Sequence, residues 1–294
     1  MKKAVLLLAH GAPERVEDVD AYLERVRASR PGAGPTPSHV IQEVKQRYRE
    51  IGGSSPLLAW TRKQAEGLQE ALGIPVYFGM RNWHPFILET MERISADGIE
   101  RLVTICLAPQ YSKASVGLYF RRTQEAKVQT GFQAEIVWTK SFHVNPLLIE
   151  AFAERLGPLA TGRKVLFTAH SLPEKALENG DPYDIEAKAT ARAVADRLGL
   201  HAWDFAYQSQ GMTQDKWLGP TVEETLDRYR AEGVTDVVLD PIGFVCDHVE
   251  ILYDVDIHFR KYAADRGIRL VRPETLNDSP KFIAALAEVA REKL

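Results

Sequence analysis

Short, continuously apolar segments alternate along the chain with longer segments of helical spacing. The apolar segments start with AVLLLA (Ala4), PVYFG (Pro75), LVTICLAP (Leu102) and AEIVW (Ala134) in the first half, and with KVLFTAH (Lys164), AWDFAYQS (Ala202), DVVLDPIGF (Asp236) and RLVRPE (Arg269) in the second. Continuous rather than alternating apolar runs are typical of parallel strands that helices cover on both faces. The pattern therefore predicts an α/β protein with a four-stranded parallel sheet in each half.

Helix boundaries are marked by glycine and small polar residues. One helix is predicted to follow Ser38 and to end at the pair Gly52 and Gly53, where glycine suits a helix C-terminus. The spacing of the elements predicts two domains, residues 1–150 and 151–294. It leaves open whether the last helix, 279–294, packs back on the first domain.

Composition and charge argue against two classes of binding partner, nucleic acids and anionic membranes. The 294 residues are 45% hydrophobic and 26% charged, with a formal net charge of -3. These values predict a globular, cytoplasmic protein without affinity for nucleic acid or for an anionic membrane. The apolar run near the N-terminus resembles a secretion signal, but it has the length of a strand and acidic residues follow it. Cys106 and Cys246 are too far apart for a CxxC metal motif.

A histidine follows the first strand of each half. His10 ends the segment AVLLLAH, and His170 ends KVLFTAH. Ligands of open parallel sheets bind beyond the carboxyl ends of the strands, so both histidines are expected to face one cleft. The chain lacks the GxGxxG, GxxxxGK[ST], GxSxG and HExxH motifs, which leaves chemistry performed by histidine and carboxylate. His170 is either a base or metal ligand, or a ring that caps the end of its strand.

The segment CDHVEILYDVDIHFRKY, from Cys246, has helical spacing. It places Glu250, Asp254 and His258 at i, i+4 and i+8, on one helical face. Two readings remain open. The stripe is either a solvated acidic face or a row of oxygen and nitrogen ligands for a divalent metal, iron included.

Several longer motifs together resemble the ferrochelatases. They are RYREIGGSSPL, YFGMRNWHPF and LAPQYS in the first half, and HSLPEK, GDPYD, QSQGMTQDKWLGP and GFVCDHVEILYDVD in the second. Their order and spacing match the family from residue 4 to the last helix. The resemblance implies two Rossmann-like domains with the active site in the cleft between them. It also implies insertion of Fe²⁺ into coproporphyrin III or protoporphyrin IX, with release of two protons.

The resemblance also implies roles for individual residues. His170 and Glu250 match the catalytic pair that flanks the metal, and together with Asp254 they are the expected metal ligands. The expected substrate contacts are His10, Arg27, Arg47, Tyr48, Ser55, Tyr119 and Trp217. Two positions depart from relatives: His10 stands where coproporphyrin-type enzymes carry a tyrosine, and His258 replaces an acid.

The expected partners are the porphyrin and ferrous iron, both as substrates of a monomeric protein. No permanently bound cofactor is expected, and no iron–sulfur cluster, because the chain lacks the four thiolates that a cluster needs. Two alternatives remain open. One is a haem- or metal-binding module without turnover, and the other is a chelatase for a different metal and tetrapyrrole.

Overall fold

The computed structural model describes residues 1–28, 34–210 and 215–294. Part of the QSQGMTQDKWLGP motif, residues 211–214, lies outside the described residues. The site residues expected from the sequence all fall within the described part of the chain.

Eight strands in two parallel sheets form the centre of the described chain. The strands are β1 (Lys3–Ala9), β2 (Val76–Met80), β3 (Arg101–Cys106), β4 (Glu135–Thr139), β5 (Lys164–His170), β6 (Trp203–Gln208), β7 (Asp236–Asp240) and β8 (Arg269–Val271). The sheet orders are β2-β1-β3-β4 and β6-β5-β7-β8, so both halves have the same topology. Every strand pair is parallel. The predicted fold class is confirmed.

Helices follow the strands in both halves. They are α1 (Val19–Ala28), α2 (Ser38–Glu50), α3 (Leu57–Leu72), α4 (Ile87–Ala96), α5 (Val116–Thr130), α6 (Pro146–Ala160), α7 (Lys175–Glu178), α8 (Tyr183–Leu198), α9 (Val222–Ala231), α10 (Val249–Leu252), α11 (Arg260–Ala264) and α12 (Pro280–Arg291). A 3₁₀ turn (Val16–Asp18) precedes α1, and a π-helical turn (Asp254–Phe259) joins α10 to α11. None of the helices described is long and apolar enough to cross a membrane.

Burial of β1 explains its apolar sequence. Val5 and Leu7 point to one face of the first sheet, and Leu6 and Leu8 point to the other; all four are buried. The cluster around Val5 continues into the second half and is completed by α12, which packs against both α3 and α6. The N-terminal run is therefore a core strand, and one apolar cluster joins the two halves.

Candidate active site

His170 is the last residue of β5, at the carboxyl edge of the second sheet. Its Nδ1 lies within hydrogen-bond distance of the Ser171 carbonyl oxygen. Donation from Nδ1 leaves Nε2 with a free lone pair, and Nε2 lies 3.7 Å from Oε1 of Glu250. Ser171 is itself fixed, since its N–H donates to the Gln208 carbonyl at 2.8 Å and its hydroxyl to the Leu218 carbonyl at 2.9 Å. The turn therefore holds one tautomer and one direction of the imidazole.

Glu250 lies on α10 between two histidines. Its second carboxylate oxygen, Oε2, is 3.6 Å from Nε2 of His248. Burial raises the pKa of Glu250, but His170, His248 and His10 outweigh burial and lower the pKa to about 2. The carboxylate is therefore ionised throughout the physiological pH range. The expected pair of His170 and Glu250 lies together in the structure.

His248 is a site residue that the sequence did not single out. Its Nδ1 donates to the Cys246 carbonyl at 2.9 Å, and its ring lies against the ring of Phe244. Burial lowers the pKa of His248, but the contact with Glu250 reverses that effect, so the pKa is raised. Its signals in the sequence were its position two residues before Glu250 and its place within the motif GFVCDHVEILYDVD.

His10, at the end of β1, comes from the opposite half of the molecule. Its Nδ1 lies 3.2 Å from the Tyr22 hydroxyl and 3.1 Å from the Gly11 carbonyl oxygen, and its Nε2 lies 3.1 Å from Nδ2 of Asn82. Burial, helped by Arg81, lowers the pKa of His10 to about 4. The imidazole is thus neutral at physiological pH.

Arg81 follows β2 and is a second residue near His10 that the sequence did not single out. Its guanidinium lies over the ring of Tyr119, 4.8 Å from the centroid. Its Nε and Nη1 are buried and have no hydrogen-bond partner in the described part of the protein. Burial raises the pKa of Tyr119 to about 12. The wall around His10 therefore carries a fixed positive charge beside a neutral imidazole and a neutral phenol.

Asp254 and Arg47 form a polar contact between the two halves. Nη1 of Arg47, on α2, lies 3.3 Å from Oδ1 of Asp254, and the hydroxyl of Ser209 donates to Oδ2. Burial raises the pKa of Asp254, although Ser209 and Arg47 oppose that effect. Ser209 adopts a left-handed backbone conformation, with φ at 60°. Such strain in a non-glycine residue is typical of functional sites.

The acidic stripe expected on a regular helix is interrupted. The N–H of His258 donates to the carbonyl of Tyr253, five residues back, at 2.9 Å, which is the bonding pattern of a π-helix. His258 bonds through Nε2 to Glu223 of α9 at 3.0 Å. The segment is helical as predicted, but the prediction of one regular helix is wrong, and His258 has a partner outside the stripe.

Three further expected contacts lie at or beside this site. Tyr48 and Tyr119 are buried, and each interacts electrostatically with Glu250, with burial as the main cause of their raised pKa values. Trp217 pairs through its backbone with Pro173, in the turn that follows His170.

Two expected substrate contacts have other partners. Nε of Arg27 donates to the Gly34 carbonyl at 2.8 Å, near the end of α1. The Ser55 hydroxyl is buried and accepts the N–H of Leu57 at 3.3 Å, at the start of α3. In the structure these bonds stabilise the local backbone conformation near each residue.

The expected metal ligands do not form a closed set. Within residues 1–28, 34–210 and 215–294, no group of three or more His, Cys, Asp or Glu side chains is placed to hold a metal ion. His170 and Glu250 are adjacent, and Asp254 interacts with both of them at longer range.

Comparison with known proteins identifies the family. The ferrochelatase family matches residues 2–294. A ferrochelatase of Acidobacterium capsulatum is 47% identical over 320 residues, covering 100% of this chain and 95% of the relative. A coproporphyrin III ferrochelatase of Geobacillus kaustophilus is 36% identical over 305 residues, covering 98% of this chain and 95% of the relative.

Solved structures of chelatases share the fold. The sirohydrochlorin chelatase SirB from Bacillus subtilis subspecies spizizenii, in complex with cobalt, has a TM-score of 0.64 and 13% identity, covering 100% of this chain and 95% of SirB. CbiX, the terminal enzyme of sirohaem biosynthesis in denitrifying bacteria, has a TM-score of 0.56 and 13% identity, with 99% of each chain covered. The full-length sequence match shows that the chain belongs to the ferrochelatase family, the enzymes that insert iron into a porphyrin in haem synthesis.

Proposed function

We propose that this chain inserts Fe²⁺ into coproporphyrin III or protoporphyrin IX, with His170 as the proton acceptor and Glu250 as its partner. The observation that supports the proposal is the contact between His170 and Glu250. A free Nε2 of His170 lies 3.7 Å from a carboxylate that stays ionised. In this proposal, residues 1–150 and 151–294 supply the two walls of the cleft that holds the macrocycle.

Metal insertion requires that two pyrrole nitrogens lose their protons. A neutral imidazole is suited to accept a proton near neutral pH, and an adjacent carboxylate stabilises the imidazolium that forms. Glu250 is within reach of both His170 and His248, so it can also pass a proton away from the porphyrin. The incomplete ligand set of His170, Glu250 and Asp254 would bind iron loosely enough to release it to the macrocycle.

His10 is proposed to face the other side of the porphyrin. Its low pKa keeps the imidazole neutral, so a nitrogen lone pair is available to an iron centre once the Asn82 contact gives way. A porphyrin gripped between His10 and His170 can be bent out of plane, which exposes its nitrogen lone pairs. Strain of this kind costs about 1–5 kcal/mol and is offset by binding energy elsewhere in the substrate.

The remaining expected residues are proposed to bind the edge and the carboxylates of the porphyrin. Arginine binds carboxylates through two parallel N–H donors, and tyrosine and serine hydroxyls can donate one bond each. The proposed contacts are Arg27, Arg47, Tyr48, Ser55, Tyr119 and Trp217. For Arg27 and Ser55 this role requires that they add to, or exchange, the local bonds described above.

The test is an anaerobic metallation assay. Purified protein is mixed with Fe²⁺ and either porphyrin, and the change in absorbance is followed with time. His170→Ala is compared with His201→Ala, because His201 is an exposed histidine outside the site. We expect His170→Ala to bind porphyrin but to lose metallation, and His201→Ala to behave as the wild type.

The outcomes separate the alternatives. Metallation of one porphyrin alone assigns the substrate. Porphyrin binding without faster metallation than in buffer refutes the enzymatic proposal and supports a carrier. Faster reaction with Co²⁺ or Ni²⁺ than with Fe²⁺ refutes the proposed metal. Full activity of His170→Ala shows that another base accepts the protons.

A further inference from the structure

The GDPYD segment, from Gly180, has no role in the site described so far. Its Asp181 is only 5% exposed. Oδ2 of Asp181 accepts the hydroxyl of Ser112 at 2.9 Å and the backbone N–H of Lys113 at 2.7 Å. Oδ1 accepts the N–H of Tyr183 at 3.1 Å. A buried carboxylate of the second half is therefore bonded to the loop that follows β3 in the first half.

A second carboxylate reinforces this connection one turn later. Oε2 of Glu186, on α8, accepts the N–H of Tyr111 at 2.6 Å and the hydroxyl of Ser141 at 2.7 Å. Residues 111–113, three in succession, are thus bonded to the start of α8. Leaving a carboxylate without hydrogen-bond donors in the protein interior costs free energy. These bonds therefore fix the loop against the helix.

Tyr183, the first residue of α8, connects this region to the candidate base. It is buried and packs in a cluster with Ala169, the residue before His170. The Tyr183 hydroxyl lies close enough to the backbone N–H of His170, and to Glu250, for both to act on its pKa, which burial raises. Tyr183 therefore contacts the backbone of one member of the catalytic pair and lies near the other.

We propose that Asp181 and Tyr183 are positioning residues for metallation. Asp181 ties the start of α8 to the first wall of the cleft, and Tyr183 ties the backbone of His170 to the start of α8. The two together fix His170 relative to the wall that carries His10. The inference rests on the proposed role of His170 and adds to it the residues that set its position.

The first test compares two buried tyrosines of the same cluster. Tyr183→Phe removes the hydroxyl near the His170 backbone, whereas Tyr207→Phe removes a hydroxyl that donates to Asp184 instead. We expect Tyr183→Phe to lower kcat for metallation about tenfold, the effect of about one lost hydrogen bond, with KM for porphyrin unchanged. Tyr207→Phe should keep kcat within about twofold of the wild type.

Equal losses of kcat in both tyrosine variants, or wild-type kcat in Tyr183→Phe, would refute the role of Tyr183. A thermal melt of each variant accompanies the kinetics. A fall in kcat that follows the loss of thermal stability equally in both variants shows a merely structural role.

The second test is a double-mutant cycle between the halves, with Ser112→Ala, Asp181→Asn and the double variant. We expect each single variant to lower kcat, and the double variant to resemble Asp181→Asn, because both changes break the same contact. Additive effects of the two substitutions on kcat would refute a role in metallation for the contact between Ser112 and Asp181. If the wild-type protein metallates neither porphyrin, the proposed function fails. If the wild type is active and the cycle is additive, only this inference fails.

Discussion

Removal of the Glu250 charge is the most informative perturbation of the site. Glu250→Gln keeps the size of the side chain but leaves His248 buried without its anion. Burial alone lowers the pKa of a histidine, and the contact with Glu250 is the main effect that raises the pKa of His248. We therefore expect the pKa of His248 to fall in Glu250→Gln. Metallation should fall about 10²-fold or more, since His170 loses the group that stabilises its protonated form.

The structure also gives the size of the effect on stability. The fall in the pKa of Glu250 from 4.5 to about 2 corresponds to about 3 kcal/mol. Because the side chain is 34% exposed, water screens its interactions, and the expected loss in Glu250→Gln is about 1–2 kcal/mol. A lowered carboxyl pKa stabilises the fold fully above 4.5, and this contribution is lost as the pH falls through about 2. The difference between variant and wild type should therefore be present above pH 4.5 and should disappear toward pH 2.

Two measurements test this prediction. NMR titration of the histidine ring nitrogens gives the pKa of His248, and denaturant unfolding at several pH values gives the free energy of unfolding. Glu223→Gln is the matched control, because Glu223 also pairs with a histidine, His258, outside the site. The control should lower the pKa of His258 and leave metallation unchanged. An unaltered pKa of His248 together with full metallation in Glu250→Gln would refute the reasoning.

Three further predictions concern other residues. Asp240 is 3% exposed, and burial raises its pKa to about 8, so the free energy of unfolding should fall as the pH rises from about 4 to 8. Asp240→Asn should therefore be more stable at pH 7 by up to about 4 kcal/mol, and a gain in urea unfolding that does not vary with pH would contradict this. Arg47→Lys should raise KM for porphyrin about tenfold with little change in kcat, because lysine lacks the bidentate fork; an unchanged KM removes Arg47 from the substrate contacts. The iron porphyrin bound to the wild type should show the optical signature of an imidazole ligand that is lost in His10→Ala, and identical spectra would remove His10 from the iron.

The sheets and the chemistry at their edges could be predicted from the sequence. The apolar runs gave the positions of all eight strands of the described chain, because helices cover both faces of each parallel sheet. His10 and His170 could be placed because each stands at the carboxyl end of a strand. The approach of Glu250 to His170 was expected from the family resemblance and from the acidic stripe.

The remaining features depend on contacts between distant segments. A spacing of four residues predicts a regular helix, and nothing in that spacing announces the π-helical turn that takes His258 to Glu223. The contact of Arg47 with Asp254 joins residues 207 positions apart, and only the packing of the two halves creates it. The raised pKa of His248 likewise follows from its contact with Glu250, which the sequence does not contain.

The most direct test of the account is a crystal structure of the protein with a bound metal-free porphyrin. We predict a macrocycle bent out of plane between the two walls, with Nε2 of His170 facing the pyrrole nitrogens from one side and His10 from the other. A flat porphyrin bound elsewhere on the protein, or a macrocycle with His170 and Glu250 turned away from its nitrogens, would contradict the central claim.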